Sequence, residues 1–105
     1  SQAKIFMDVF AISICDGKDL DSPTVIGAQA ANELLNINGI KASFVLTDYN
    51  QTIHISGRSI DEVNVQVIME KLGGGGHKTD AATEIKDKNI EEVKIELIKV
   101  LKEGI

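Results

Sequence analysis

Apolar residues along this chain change spacing several times, and the changes mark the elements. From Ile5 to Cys15 both faces of an extended run are apolar, Ile5, Met7, Val9 and Ala11 alternating against Phe6, Phe10, Ile12 and Ile14. A strand of that kind is covered on both sides and sits centrally in its sheet. Asp16-Gly17-Lys18-Asp19 reads as a polar loop. Ser22-Pro23 then opens a helix, with Ser as the cap and Pro pre-set for the first helical position. Ile26, Ala30, Leu34 and Ile37 give that helix an apolar stripe, and Gly39 suits a left-handed stop.

The period then returns to two. Ile40 to Thr47 and Thr52 to Ser56 form a hairpin joined by Asp48-Tyr49-Asn50-Gln51. In its second strand Ile53 and Ile55 point one way, and Thr52, His54 and Ser56 the other. Ser59-Ile60-Asp61-Glu62 has capping-box spacing and predicts a helix running to Leu72, with Ile60, Val63, Val67 and Ile68 on its buried face. Gly73 to Gly76 and His77 follow, then a short strand from Ala81 to Lys86. Asn89 to Glu92 repeats the capping pattern. Ile90, Val93, Leu97 and Leu101 form the inner stripe of the last helix, with Ile105 at the end of the same spacing. Its other faces, carrying Glu91, Glu92, Lys94, Glu96, Lys99, Lys102 and Glu103, read as an ordinary solvated surface. The predicted order is βαββαβα. That is an α/β fold, one domain over 1–105, with a small mixed sheet and packed helices.

Composition narrows the function classes. Eleven Lys and Arg stand against 16 Asp and Glu in 105 residues, a net charge of −5. That balance argues against a duplex-DNA binder, which carries a basic face. Phe6, Phe10, Phe44 and Tyr49 are the only aromatics, too few for a base-stacking platform. No apolar run approaches the ~20 residues of a membrane-spanning helix. A single cysteine, Cys15, allows no internal disulfide, and a buried reduced thiol fits a cytosolic setting. The chain opens on Ser1-Gln2-Ala3 rather than Met, which raises the expectation of a fragment of a longer protein.

The chemistry concentrates around the glycines. A Gly73–Gly76 run has no side chains to hold a ligand off the backbone, so its amides can turn together toward an anion, with His77 and Lys78 as neighbouring donors. The plainer alternative is a flexible linker, although linkers mix Gly with Ser and join domains. Two phosphate motifs fail. The P-loop needs Gly before Lys-Ser/Thr, where His77 stands. The dinucleotide fingerprint needs a sixth-position Gly, where Lys78 stands, and it follows a strand. Arg58, between Gly57 and Ser59 at a strand-to-helix junction, is either a surface arginine or a fork for a phosphate beside a helix N-terminus. Asn64 is an exposed helix residue or faces the same pocket. His54 reads as solvated or at an edge. Two histidines, one cysteine and no clustered carboxylate spacing make a weak metal set. Asp8, Asp16, Asp19 and Asp21 lack the spacing of a calcium loop.

The full series Ser56-Gly57-Arg58-Ser59, Asn64-Val65, Ile68-Met69-Glu70-Lys71-Leu72, Gly73-Gly74-Gly75-Gly76-His77 and Ala81-Ala82 resembles the DHH-associated C-terminal domain of DHH-type phosphoesterases. Within that family the likeness is to the membrane-anchored bacterial cyclic-di-AMP phosphodiesterases, and it spans nearly the whole chain. The resemblance implies a two-part enzyme. A separate DHH domain, absent from this chain, holds two manganese ions and activates water, and the present domain grips the nucleotide. No cofactor is expected in this fragment. The implied partners are cyclic di-AMP or its linear dinucleotide and the DHH catalytic domain in cis. The implied setting is a cytoplasmic domain of a protein anchored in the bacterial cell membrane. The implied substrate contacts are Arg58, flanked by Ser56 and Ser59, then Asn64, Gly73, Gly74, Gly75, Gly76 and His77. Two positions depart from the family pattern. Thr83 stands where many relatives have glycine, and Gly57 stands where alanine is usual.

Two further readings compete. Related domains serve as nucleic-acid-binding modules in single-strand exonucleases and alanyl-tRNA synthetases, but a net charge of −5 offers no basic track for a long strand. A homodimerising domain is the third, served by the apolar stripe of the last helix.

Overall fold

The computed structural model describes residues 3–60 and 62–104. Its elements are β1 (Lys4–Phe6), β2 (Phe10–Asp16), α1 (Pro23–Leu34), β3 (Ala42–Tyr49), β4 (Thr52–Ser59), α2 (Val65–Lys71), β5 (Gly75–His77), β6 (Asp80–Lys86) and α3 (Ile90–Lys102). They form one six-stranded mixed sheet in the order β1-β2-β3-β4-β6-β5. β2 and β3 pair in parallel, and every other neighbouring pair is antiparallel.

The predicted class holds, with two more strands than the predicted order. The run from Ile5 to Cys15 is not one strand. Met7 and Asp8 take left-handed φ values of 53° and 66°, which fold β1 back on β2 with Phe6 opposite Phe10. Neither residue is glycine or asparagine, so the turn carries no strong sequence mark. The second extra strand is β5, built from the glycine run itself. The β3–β4 hairpin is tighter than expected. Asp48 and Tyr49 extend β3, and only Asn50 and Gln51 turn, with φ of 57° and 62°. That is the paired left-handed geometry of a two-residue hairpin.

Side chains on paired positions share a face of the sheet. One face carries Ile12, Phe44, Leu46, Ile53, Ile55 and Ala81. These pack against Val65, Ile68 and Met69 of α2 and Val93, Leu97, Val100 and Leu101 of α3 to make the core. α3 is entered as predicted. Asn89 Oδ1 accepts from Glu92 N and Glu92 Oε1 accepts from Asn89 N, each at 2.9 Å. Val93, Leu97 and Leu101 of its inner stripe are buried as read, Ile90 is half-buried, Val100 joins them, and Ile105 lies outside the described residues.

The other face mixes Ser43 and Thr47 with Ala11 and Val45 where α1 covers it, and the buried positions of the helix are not those of the predicted stripe. Pro23, Gly27 and Ala31 are the buried positions of α1, whereas Ile26 and Ile37 are 41% and 40% exposed. The sheet presents Ser43 and Thr47 there, and Ser43 Oγ donates to Ala31 O at 2.6 Å. A Cβ on Gly27 would stand 2.6 Å from Thr47 Oγ1. The helix therefore seats its small residues close to Ser43 and Thr47, while Ile26, Ala30 and Leu34 stand to one side, lining a shallow cavity with Ser13, Cys15 and Val45. Pro23 takes the first turn as expected, but Ser22 makes no side-chain cap bond. Gly39 is left-handed at φ 88°, in the turn after the helix rather than as its immediate stop. Cys15 is a free, half-buried thiol rather than a fully buried one.

Candidate functional site

Alternation along β4 sends His54, Ser56 and Arg58 to the same face as α1. Their partners on β6 are Glu84, Ala82 and Asp80, and β5 extends two of these rows with Gly75 opposite Ala82 and His77 opposite Asp80. Beyond β4 this face is left open by α1. A groove of about 280 Å³ runs there, walled by Thr24 and Ala28 of α1 and floored by Ser56 and Ala82. One end holds Arg58 and Asp80, and the other His54 and Glu84.

Arg58 is the most sheltered charge of the groove, its side chain 12% exposed. Its Nη1 donates to Gly57 O at 2.9 Å and stands 3.1 Å from Asp80 Oδ1. Both contacts use one nitrogen, which leaves Nε and Nη2 as donors for an anion. His77 is the exposed end of the same row. With strands spaced at ~4.8 Å, the Arg58 and His77 backbones lie ~10 Å apart with Asp80 between them.

The glycines divide by role. Gly73 is left-handed at φ 87° and its N–H bonds to Glu70 O, while Gly74 N bonds to Met69 O at 2.8 Å. These two amides close the end of α2, so they do not contribute to the anion cradle expected of the whole run. A Cβ on Gly74 would meet Ala82 O at 2.1 Å, and one on Gly76 would meet Ala81 Cα at 2.6 Å. Gly75 alone in the run combines an ordinary φ with open space, a Cβ there meeting no atom within 4 Å. The fold explains three of the four glycines and leaves Gly75, on the groove face, unexplained. The run is not a linker: it ends a helix and forms a sheet edge.

Two expected contacts serve the scaffold. The capping box over Ser59-Ile60-Asp61-Glu62 does not start α2, and Asp61 lies outside the described residues. Asn64 is the cap instead, its Oδ1 accepting from Val67 N at 3.2 Å. α2 packs on the core face, away from the groove. Ser59 ends β4 on that same core face, opposite Ala42. Its hydroxyl is shared between Val63 O at 2.8 Å and Lys78 O at 3.1 Å, and its N–H donates to Thr79 O. Val65 N also donates to Lys78 O. Ser59 therefore ties down the Lys78-Thr79 turn that presents His77. Ser59→Ala is expected to cost about 1–2 kcal/mol, read as a lower urea midpoint, and to broaden the His77 amide resonance.

His54 departs from its expected edge position. β4 is flanked by β3 and β6, and His54 is 19% exposed with Nδ1 3.5 Å from Glu84 Oε1. Asp80, Glu84, Thr24 and Ala28 carry no mark in the sequence pattern. The period-two spacing of His54, Ser56 and Arg58 is the available signal for the face, but the β6 partners need the register. Among the described residues no three of His, Cys, Asp and Glu come together as a metal site. No described helix is long and apolar enough to cross a membrane.

Comparison with known proteins bears on the whole chain. The profile of the DHHA1 domain matches residues 9–104. A cyclic-di-AMP phosphodiesterase, PdeA, of Listeria monocytogenes serotype 1/2a (strain 10403S) is 48% identical over 93% of this chain. A cyclic-di-AMP phosphodiesterase, GdpP, of Geobacillus thermodenitrificans (strain NG80-2) is 43% identical over 87% of it. The aligned segments cover 15% and 14% of those two relatives, so the chain corresponds to a small part of each. Among solved structures, an exopolyphosphatase-related protein from Bacteroides fragilis superposes with a TM-score of 0.80 at 19% identity, over 96% of this chain and 31% of that one. At that identity the likeness concerns the fold.

Proposed function

Because the chain belongs to the DHHA1 domain family, we propose that it is the nucleotide-binding domain of a phosphodiesterase that opens cyclic di-AMP to the linear dinucleotide. The observation that carries this reading is the single open sheet face on which Ser56, Arg58, Gly75 and His77 come together. The names of the similar proteins supply the substrate class.

In this reading a bridging phosphate approaches Arg58 along the groove, taking the free guanidinium donors as a fork. Ser56 offers a hydroxyl on the floor, and His77 closes the row from the sheet edge. Gly75, lacking a side chain, lets the ligand come against the β5 backbone. The domain orients the nucleotide and neutralises its charge. Hydrolysis itself belongs to a DHH domain in the same longer protein, with manganese as the agent that activates water there. Anchorage of that protein in a membrane is part of the same proposal. A long single strand is the poorer ligand, because the groove sets Asp80 and Glu84 beside its two bases.

Titration of the isotope-labelled chain with cyclic di-AMP and its linear product tests the reading. Backbone amide shifts are expected at Arg58 and across Gly75 to His77. Silence at millimolar ligand would mean that this face holds no competent nucleotide site by itself.

A further inference from the structure

Asp80 stands between the two groups that the proposed function sets against a phosphate. Its register partners are Arg58 on β4 and His77 on β5, and the three share the groove face. Its carboxylate is 3.1 Å from Arg58 Nη1, yet its side chain is 64% exposed where that of Arg58 is 12% exposed. The arginine is sheltered, and the acid beside it lies open to whatever enters. Any anion that reaches Arg58 therefore also meets a fixed negative charge.

The two neighbours act oppositely on ligand charge. Coulomb energies scale with the product of charges, so Arg58 alone would attract a dianion about twice as strongly as a monoanion. Asp80 repels the dianion about twice as strongly, which cancels much of that extra attraction. A bridging phosphodiester carries one negative charge. A terminal phosphomonoester carries close to two once the pH is above ~6.

We propose that Asp80 is a specificity-determining residue, shifting the preference of this groove away from terminal phosphomonoesters and toward bridging phosphodiesters. The inference rests on the reading of the groove as a nucleotide site and adds the class of phosphate it takes. A cyclic dinucleotide has only bridging phosphates, and hydrolysis of one bond creates a terminal monoester. The carboxylate that opposes the substrate by one charge therefore opposes its product more strongly.

The test compares two matched ligands, the dinucleoside ApA and its 5′-phosphorylated form pApA, by amide-shift titration at pH 8 and fixed ionic strength. Asp80→Asn keeps an oxygen acceptor for Arg58 Nη1 and removes the charge. It is expected to tighten ApA binding by about three-fold and, with the terminal phosphate of pApA beside residue 80, pApA binding by about ten-fold, since the logarithm of the gain doubles from a monoanionic diester to a dianionic monoester at that place. Asp80→Glu, which retains the charge, is expected to keep the wild-type preference. Binding of both ligands with an unchanged ratio in Asp80→Asn overturns the inference and leaves the nucleotide reading standing. An equal loss of both ligands also overturns it, because Asp80 would then only position Arg58. Absence of binding by either ligand, in wild type and variant alike, overturns the inference together with the nucleotide reading.

Discussion

Arg58→Ala is expected to weaken cyclic di-AMP binding by about 10- to 100-fold while leaving the fold intact. The magnitude follows from the bonds at stake. A charge-assisted hydrogen bond contributes about 1.5–3 kcal/mol, and each 1.4 kcal/mol is a factor of ten in affinity. The stability cost is smaller. The Asp80 side of the ion pair is 64% exposed, and solvent screening holds the contribution of such pairs to about 1 kcal/mol or less. Arg58→Lys sharpens the test. Lysine keeps the charge but loses the planar fork, so an intermediate affinity is expected if two donors grip one phosphate. His77→Ala is expected to act in the same direction by less, because His77 lies at the exposed sheet edge. Amide-shift titrations give the affinities, and urea midpoints show that the variants remain folded. Undiminished binding by Arg58→Ala would sink the placement of the phosphate.

How far these features can be read from sequence depends on whether a residue acts locally or across strands. The face shared by His54 and Ser56 follows from alternation alone, Arg58 joining it because β4 runs on to Ser59 past the expected strand end, and the capping box at Asn89 and Glu92 is a local exchange of two bonds. Both are legible. The Met7-Asp8 turn is not, because Met7 takes left-handed φ with no glycine or asparagine to announce it and a lone Asp8 is a weak turn mark. The inner face of α1 misleads for a different reason. The apolar stripe of Ile26, Ala30, Leu34 and Ile37 is real in sequence, but the sheet beneath carries Ser43 and Thr47, and close approach favours Gly27 and Ala31. Propensity at Ser59 points to a helix cap. The structure instead uses its hydroxyl to bond Val63 O and, 19 residues from Ser59, Lys78 O, and no local pattern contains that second pairing. Asp80 becomes visible only when the register sets it between Arg58 and His77.

Gly74→Ala and Gly75→Ala should separate what the glycine run does for the fold from what it does for a ligand. At Gly74 a Cβ would fall 2.1 Å from Ala82 O and 2.7 Å from Thr83 Cα, both backbone atoms of β6. Neither can swing aside as a side chain could, so β5 must part from β6 or the end of α2 must shift. Overpacking of this kind costs about 3 kcal/mol, and the loss is expected as a large fall in the urea midpoint with disturbed amides along both strands. At Gly75 the added carbon meets nothing within 4 Å, and the backbone φ is ordinary. Its stability is expected to stay within about 0.5 kcal/mol of wild type. The new methyl would nevertheless stand on the groove face, beside Ala82 and in the row next to His77. Cyclic di-AMP affinity is therefore expected to fall in Gly75→Ala although the fold does not change. Equal stability of the two variants would contradict the packing argument at Gly74. Wild-type affinity in Gly75→Ala would show that the ligand does not come against the β5 backbone, and that this glycine's freedom is not used by the site.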